Sequence, residues 1–318
     1  MIKTAMAGET AETARRIESL KRDKNAVILA HNYQIPEVQD VADYVGDSLG
    51  LSQLAARTDA DIIVFCGVHF MAETASIISP EKKVLIPDTA AGCSLSDTIT
   101  ADQLREWKDE HPGAVVVSYV NTSAEVKSES DYCVTSSNAV RVVESIPPDR
   151  KILFLPDIFL GSYVAKVTGR EMEIWPGECH VHTGIKVGDI KRAKDEHPGA
   201  EVVVHPECGC TTHYLYHGAG KGDVRFLSTS GMTERARSGG DEFIVATETG
   251  MLHRLRKDNP GKKFFPASAE AVCEYMKMIT LDKVLRSLEE EIFEVKVPEE
   301  LAQRAKKPID RMLGVPTG

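Results

Sequence analysis

Short runs of apolar residues alternate along the chain with longer stretches in which apolar and polar positions are mixed at helical spacing. The apolar runs predict strands that are buried on both faces, as in a parallel sheet. The mixed stretches predict helices that cover those faces. Residues 1–23 contain no apolar run and predict a polar, amphipathic helix. The predicted strands lie at 26–30, 62–66, 84–87, 115–117, 152–155, 172–176, 202–204, 243–246 and 263–266.

The predicted strands belong to an internal repeat. The seven residues KDEHPGA occur at 108–114 and again at 194–200, an offset of 86, and a β-branched run follows each copy. His31, Tyr119 and His205 end the first strand of successive copies at offsets of 88 and 86. A repeat of this kind decides the fold. We therefore expect an α/β fold of three pseudo-threefold-related, three-layer αβα repeats, each with a four-stranded parallel sheet.

The repeat also sets the expected domain boundaries. The first repeat, with the N-terminal helix, is expected at 1–97, the second at 98–185 and the third at 186–279, followed by a C-terminal helical segment at 280–318. Within the third repeat, residues 211–222 contain a glycine-rich insertion of six residues. No clear amphipathic helix is expected there, and a lid is one interpretation of the segment.

Composition limits the partners that the chain can have. A net charge of −10 over 318 residues argues against broad nucleic-acid binding, but it allows a local positive pocket for a small anion. No signal peptide is expected, and no apolar run approaches the ~20 residues of a membrane helix. A cytoplasmic location is therefore expected. The seven cysteines are an odd number, which argues against a disulfide framework in that compartment.

Three of the cysteines occupy equivalent positions in the repeat. Cys93, Cys179 and Cys273 each follow the last strand of a copy, at offsets of 86 and 94. Three equivalent thiols can converge on a threefold axis, which suits a 4Fe–4S cluster with one open iron better than a four-ligand zinc site. The alternative is that duplication copied three cysteines that merely pack in the core.

The other four cysteines lack this threefold equivalence. Cys66 and Cys133 lie within apolar strands, where a buried thiol is the expected interpretation. The adjacent Cys208 and Cys210 could be ligands, but they have no counterparts in the other repeats, and their role stays open.

Polar residues stand at the end of the first strand of each repeat, where the crevice of a parallel sheet binds ligands. They are His31-Asn32-Tyr33, Tyr119-Val120-Asn121 and His205-Pro206-Glu207. Any one of them could be a helix cap or a satisfied core group, but three coincident sets favour a shared pocket. Ser48, Ser136 and Ser228, with Thr229 beside it, stand where the next strand gives way to a helix. Serine there predicts N-caps, and helix N-termini also suit phosphate or carboxylate.

Taken together, these residues resemble the quinolinate synthase family, in the class without a C-terminal cysteine-rich cluster. The matching motifs are AHNYQ at 30–34, GDS at 46–48, YVN at 119–121, HPEC at 205–208, STSGM at 228–232 and TETG at 247–250. The resemblance implies one 4Fe–4S cluster with an open iron coordination site, held by the three equivalent cysteines, and a pseudo-threefold αβα fold. It also implies condensation of iminoaspartate with dihydroxyacetone phosphate to quinolinate, with loss of phosphate and water, in de novo NAD biosynthesis.

The resemblance carries site roles to individual residues. Glu207 is expected to be a general base, and Tyr33 and His205 are expected to be proton donors or shuttles, because carboxylate, phenol and imidazole serve in such work. His31 is also expected among the catalytic residues. The expected substrate-binding residues are His31, Ser48, Tyr119, Val120, Asn121, Ser136, His182, His205, Pro206, Glu207, Ser228 and Thr229.

The expected partners are therefore small molecules, with an aspartate oxidase or dehydrogenase as the source of iminoaspartate, and neither nucleic acid nor membrane. Two other functions stay open. One is a 4Fe–4S hydro-lyase that uses the open iron on a hydroxy acid. The other is a non-catalytic iron sensor or electron carrier, which gives no reason for the polar residues at the strand ends.

Overall fold

Three sheets of four parallel strands form the framework of the chain, and helices flank each sheet. The computed structural model describes residues 2–217 and 224–315, with side chains from residue 8 onward. Helix α1 (Ile2–Asp23) precedes the first repeat. The elements of that repeat are β1 (Ala26–His31), α2 (Pro36–Val41), β2 (Tyr44–Gly46), α3 (Ser48–Ala55), β3 (Ile62–Cys66), α4 (His69–Ile78) and β4 (Lys83–Leu85).

The second repeat has the same order of elements and is preceded by helix α5 (Ala101–Glu110). A short 3-10 turn at Ser96–Thr98 comes before that helix. The elements of the repeat are β5 (Val115–Tyr119), α6 (Ala124–Ser128), β6 (Tyr132–Val134), α7 (Ala139–Ser145), β7 (Ile152–Leu155), α8 (Ile158–Thr168) and β8 (Glu173–Ile174).

The third repeat follows helices α9 (His180–Thr183) and α10 (Val187–Glu196). Its elements are β9 (Glu201–Val204), α11 (Thr211–Tyr216), β10 (Arg225–Phe226), α12 (Thr229–Ser238), β11 (Glu242–Ala246), α13 (Met251–Asp258) and β12 (Lys263–Pro266). Three helices close the chain, namely α14 (Glu274–Lys277), α15 (Leu281–Glu290) and α16 (Glu299–Leu313).

The three sheets share one strand order, which confirms the predicted fold class. The orders are β2-β1-β3-β4, β6-β5-β7-β8 and β10-β9-β11-β12, and every pairing is parallel. In the first sheet, β1 is central and pairs Ile28 with Val64 of β3 and Leu29 with Tyr44 of β2. Because helices cover both faces, every residue of β3 is buried. This burial accounts for the continuous apolar runs in the sequence.

An aspartate at a fixed position of the repeat satisfies a backbone group of the central strand. Asp43 Oδ2 accepts the N–H of Ile28 at 2.8 Å, and Asp131 Oδ2 accepts the N–H of Val116 at the same distance. Buried backbone N–H groups need such partners, which explains why the aspartate recurs in register. The third copy of this residue, Asp223, lies outside the described residues.

The repeated KDEHPGA motif closes a helix and turns the chain into the next strand. In the first copy, Thr100 begins α5 with a capping box to Gln103, and the helix ends at Glu110. Gly113 then adopts a left-handed conformation, with φ of +80°, before β5 begins. Glycine takes this conformation without steric cost, so the Pro-Gly pair suits the turn.

The helix that follows each candidate cluster cysteine confirms their equivalence in the repeat. Helices α5, α10 and α15 begin at Ala101, Val187 and Leu281, each eight positions after Cys93, Cys179 and Cys273, respectively. The register inferred from the sequence therefore extends beyond the strands to the helix after each cysteine.

The expectation of no clear helix after residue 210 is wrong, because residues 211–216 form α11. This helix packs against α8, and Lys166 of α8 lies 5.1 Å above the ring of Tyr216. Packing of this kind stabilises a short helix whose own sequence carries only a weak helical pattern. The insertion beyond His217, including residues 218–222, lies outside the described residues, so its interpretation as a lid is not tested.

The described chain divides into two compact units. One comprises the described residues up to Cys93 together with Cys273–Glu299, and it contains the first repeat. The other comprises Ser94–Val272 together with the described residues from Glu300 onward, and it contains the second and third repeats. The domain boundaries expected at residues 97, 185 and 279 remain a prediction. Within residues 2–217 and 224–315, no helix is long and apolar enough to cross a membrane.

Candidate functional site

The candidate residues of the first compact unit form a rigid, buried turn after β1. His31 Nδ1 accepts the N–H of Tyr33 at 3.2 Å, and the two rings meet edge to face at 4.5 Å. Gln39 Nε2 donates to the carbonyls of Asn32 and Gln34 at 3.1 and 2.8 Å, which fixes the backbone between them. Because Nδ1 of His31 is an acceptor, the neutral ring carries its proton on Nε2.

Helix α14, which begins directly after Cys273, contacts this turn. The Lys277 ammonium donates to the backbone carbonyl of Tyr33. A Cβ atom on the glycine before Cys93 would lie 4.0 Å from the ring of Tyr275. The loops that carry these two cysteines therefore adjoin within the first compact unit, and one of them is tied to the turn that holds Tyr33.

Glu207 is the centre of the candidate group in the second compact unit. Its carboxylate is buried, with Oε2 lying 3.0 Å from His182 Nδ1 and 3.5 Å from His205 Nδ1. The side chain of Tyr119 also hydrogen-bonds to Glu207. The two imidazole rings lie 4.9 Å apart. The sequence predicted Tyr119, His205 and Glu207 for one pocket. In the structure, the side chains of Tyr119 and His205 both contact the carboxylate of Glu207.

The electrostatics of this group favour an ionised Glu207. Burial alone raises the pKa of a carboxyl group, but the charges of His182 and His205, with hydrogen bonds from His182 and Tyr119, lower the pKa of Glu207 to about 2. Burial likewise opposes the charged form of His182. The negative charges of Cys179 and Glu207 outweigh burial and raise the pKa of His182 to about 10. The arrangement holds a buried carboxylate and an imidazolium side by side.

His182 links Glu207 to Cys179. Its Nδ1 lies 3.3 Å from Cys179 Sγ, and its Nε2 lies 2.9 Å from Thr247 Oγ1. One ligand atom each from Cys179, His182 and Glu207 lie within 4.8 Å of one another, so this group could hold a metal ion. The sequence did not point to Thr247 as a site residue, although Thr247 begins the TETG motif and directly follows β11, the third strand of its repeat.

Two of the three predicted serine caps are corrected. Asp47, not Ser48, is the N-cap of α3, because its side chain accepts the N–H of Gly50 at 2.8 Å and Ser48 is the first helical residue. Aspartate is as good a cap as serine and comes one position earlier. Ser136 precedes its helix by three residues, and its Oγ lies 3.1 Å from His205 Nε2.

The third predicted cap is confirmed. Ser228 Oγ accepts the N–H of Gly231 at 3.2 Å at the start of α12, and Thr229, the first helical residue, is buried. Of the remaining predicted substrate-binding residues, Val120 and Pro206 are buried at the ends of β5 and β9. Asn121 has a buried side-chain oxygen without a hydrogen-bond partner. A role in binding substrate remains a prediction for all of these residues.

The exposure of the cysteines separates the predicted ligands from the others. Cys93, Cys179 and Cys273 are partly exposed and in no disulfide. The four buried cysteines are Cys66, Cys133, Cys208 and Cys210. Burial raises the pKa of the Cys133 thiol to about 12 and also raises the pKa values of Cys66 and Cys208, which disfavours the thiolate that metal binding needs. Accessible cysteine thiols are the donors that iron–sulfur clusters normally use, so the chemistry of these three residues fits such a group.

One backbone hydrogen bond recurs two positions before each predicted ligand. It joins the N–H at the start of the third helix of each repeat, or just before that helix, to a carbonyl of the loop that carries the cysteine. The three bonds are His69 to Ala91 at 2.8 Å, Ile158 to Gly177 at 2.8 Å and Thr249 to Ala271 at 2.9 Å. The three cysteine loops are therefore anchored in the same way.

The chain resembles known proteins over most of its length. The profile of the quinolinate synthetase A protein family, NadA, matches residues 15–314. A quinolinate synthase of Thermus thermophilus is 56% identical over 311 residues, which cover 98% of this chain and 99% of the relative. The match includes nearly the full length of both proteins.

Similar proteins from other organisms carry the same name. A quinolinate synthase of Pyrobaculum aerophilum is 56% identical over 295 residues, covering 92% of this chain and 96% of the relative. One of Mycobacterium tuberculosis is 55% identical over 309 residues, covering 95% of this chain and 88% of the relative.

Proposed function

The chain belongs to the quinolinate synthase family, and on that premise we propose that it is an iron–sulfur-dependent transferase. It condenses iminoaspartate with dihydroxyacetone phosphate to quinolinate in de novo NAD biosynthesis. The reaction releases one phosphate and two water molecules. The observation that carries this proposal is the buried Glu207 carboxylate, which lies within reach of two imidazoles and a phenol.

Glu207 is suited to remove protons from carbon. The reaction needs proton removal next to carbonyl or imine carbons, followed by proton delivery to departing hydroxyl groups. A carboxylate that stays ionised in a buried site can accept such a proton without first losing one. His205, whose Nδ1 faces Glu207 and whose Nε2 faces Ser136, can carry a proton between the carboxylate and the substrate.

Tyr33 and His31 supply the second set of proton-transfer groups. The turn that holds them is fixed by Gln39 and Lys277, which keeps the phenol and the imidazole in defined positions. Each group can donate a proton to a leaving hydroxyl or take one from a carbon acid. Both substrates are anions, and the N-terminus of α12 with Ser228 and Thr229 offers N–H groups that suit a phosphate or a carboxylate.

Cys93, Cys179 and Cys273 would hold one 4Fe–4S cluster. When bound, the cluster supplies a Lewis-acidic iron with an open coordination position for a substrate oxygen or nitrogen. The support for this set is its partial exposure and its equivalent position in the three repeats. The alternative ligand group of Cys179, His182 and Glu207 would instead hold a single ion.

The direct test is anaerobic product analysis. The purified protein is incubated with dihydroxyacetone phosphate and with iminoaspartate generated in place by an aspartate oxidase or dehydrogenase, and quinolinate is measured by chromatography. Formation of quinolinate that depends on both substrates supports the proposal. Dehydration of a hydroxy acid without quinolinate would identify a hydro-lyase, and a redox-active protein without either reaction would identify an electron carrier.

The cytoplasmic location and the absence of nucleic-acid and membrane partners remain predictions.

A further inference from the structure

Lys127 is a fully buried lysine that the proposed chemistry does not use. It lies in α6, the helix that follows β5, and its Nζ donates to the backbone carbonyl of Thr122. Lysine is almost never fully buried, because taking its amine out of water is unfavourable unless the nitrogen finds acceptors. Lys127 therefore makes the bond to Thr122 against the usual preference of its side chain for the surface.

Thr122 ends the turn that carries the candidate residues after β5. Its N–H donates to the carbonyl of Val120 at 2.8 Å, and its Oγ1 donates to the carbonyl of Tyr119 at 3.2 Å. Thr122 is itself fully buried. Lys127 thus holds, from the side of α6, the residue whose own hydrogen bonds close the turn.

The first repeat contains the same bond, made by a different side chain. Gln39 lies 88 positions before Lys127, which is the offset that relates the first strands of the two repeats, and Gln34 lies 88 positions before Thr122. Gln39 Nε2 donates to the carbonyl of Gln34 at 2.8 Å, and the Gln39 side chain is also buried. An amide in one repeat and an amine in the other therefore donate to the equivalent carbonyl. What the two side chains share is a hydrogen-bond donor at the turn.

Asn121 links this turn to the substrate. Its side-chain oxygen is buried and accepts no hydrogen bond from the described residues. A buried acceptor of this kind is unfavourable unless a ligand or a water molecule donates to it. Tyr119, at the other end of the turn, hydrogen-bonds to Glu207. The turn that Lys127 holds therefore carries one side chain to the Glu207 group and one acceptor that suits a donor group of a ligand.

We propose that Lys127 is a positioning residue. By holding the carbonyl of Thr122, its Nζ fixes the turn that presents Tyr119 to Glu207 and Asn121 to the substrate. The inference rests on the proposed function only for the identity of the substrate, because the bond and the turn are properties of the chain itself. A positioning role requires the donor at Thr122 and not the volume of the lysine side chain.

Two substitutions separate the hydrogen bond from the volume of the side chain. Lys127→Met keeps a long, unbranched side chain but has no donor, whereas Lys127→Gln keeps an NH2 donor of the kind that Gln39 supplies. Lys262→Met is the matched control. Lys262 Nζ donates to the carbonyls of Ala236 and Gly239 at 2.6 and 3.0 Å in the same compact unit. It directly precedes β12, whereas the candidate residues lie at the carboxyl ends of the strands.

The test uses anaerobically purified protein and three measurements besides activity. Hydrogen–deuterium exchange at the Thr122 amide should be about tenfold faster in Lys127→Met and close to wild type in Lys127→Gln and Lys262→Met. The dissociation constant of quinolinate, measured by calorimetry, should rise about tenfold in Lys127→Met and stay near the wild-type value in the other two variants. The two methionine variants should lose similar amounts of melting temperature, because each leaves a carbonyl without its donor.

Wild-type exchange and affinity in Lys127→Met would overturn the proposal, and so would a Lys127→Gln variant that behaves like Lys127→Met. If Lys127→Met does not fold, Lys127→Gln decides alone. Exchange and affinity close to wild type in that variant support the donor role, and a loss of either overturns it.

The two proposals can fail independently. If the wild-type chain neither forms nor binds quinolinate, the proposed function fails, while the exchange rate at Thr122 still tests the role of Lys127. If the wild type forms quinolinate and Lys127→Met matches it in exchange and affinity, only the positioning role fails.

Discussion

At the scale of single residues, burial and neighbouring groups act in opposite directions on the pKa of Glu207. Burial disfavours its charge, and two imidazoles and a phenol restore it. A charge that is removed from water is tolerated only when partners of this kind surround it. The charged state of Glu207 therefore depends on His182, His205 and Tyr119 together.

Replacing this carboxylate tests its role as a base. Glu207→Gln should lower kcat by about 10²- to 10⁴-fold, because the amide keeps the shape of the side chain but cannot take a proton. Steady-state kinetics of quinolinate formation measures the loss. Glu201→Gln, at the opposite end of β9, is the control and should alter stability through its pairs with Arg225 and Arg235 rather than kcat. More than a tenth of wild-type kcat in Glu207→Gln would rule out the assigned role.

At the scale of elements, close backbone approach holds the site loops together. The loop after β9 passes against α9, with the N–H of Gly209 donating to the carbonyl of His182 at 3.0 Å. A Cβ atom on Gly209 would lie 2.5 Å from the carbonyl oxygen of Thr183. The contact fixes the distance between the helix that carries His182 and the loop that carries Glu207.

Gly209→Ala should therefore separate these two elements. We expect a loss of about 1–3 kcal/mol in the free energy of unfolding, together with a fall in kcat of at least about tenfold, because the His182–Glu207 contact is stretched. Denaturant unfolding and kinetics measure the two effects. Gly188→Ala in α10 is the matched control, since nothing lies within 4 Å of its added Cβ, and it should be neutral or stabilising. Equal behaviour of the two variants would contradict the account.

Much of this element scale could be predicted from the sequence. The strands β3 and β7 have the predicted bounds, because continuous apolar runs mark strands buried on both faces. The edge strand β12 also has the predicted bounds, although it is only partly buried. The edge strands β4 and β8 are shorter than predicted. The repeat placed the cysteines in register, and the helices after them agree.

Contacts that depend on tertiary packing could not be predicted. The hydrogen bond between Thr247 and His182 joins residues 65 positions apart, and no local sequence pattern predicts it. The cap at Asp47 was missed because serine and aspartate are adjacent there and either can cap. Helix α11 was missed because its stability comes from packing against α8 rather than from its own sequence.

At the scale of the whole molecule, ion pairs join distant segments within the first compact unit. Glu291, just after α15, pairs with Lys24 after α1 at 2.8 Å and with Lys83 at the start of β4 at 2.5 Å. Hydrogen bonds from the two lysines lower the pKa of Glu291 from 4.5 to about 2. One carboxylate thus connects the start of the chain, the first sheet and the C-terminal helices.

The sign of this shift gives a pH dependence. Since the folded pKa is lower than the unfolded value, the contribution to stability is complete above pH 4.5 and is lost as the pH falls towards 2. Unfolding free energies of wild type and Glu291→Gln should differ by at most ~1 kcal/mol at pH 7, because the pair is partly exposed, and should converge in acid. The exposed Glu81→Gln is the control and should match the wild type throughout. A difference that grows as the pH falls would have the wrong sign.

The central claim is that Cys93, Cys179 and Cys273 hold one cluster, and metal analysis of anaerobically purified protein tests it most directly. Iron and acid-labile sulfide should each approach four per chain in the wild type and in Cys66→Ala and Cys133→Ala. Both should fall to near zero when any of the three ligands is replaced by alanine. Folded wild-type protein without sulfide, or a single metal ion retained in Cys93→Ala and Cys273→Ala, would contradict the claim.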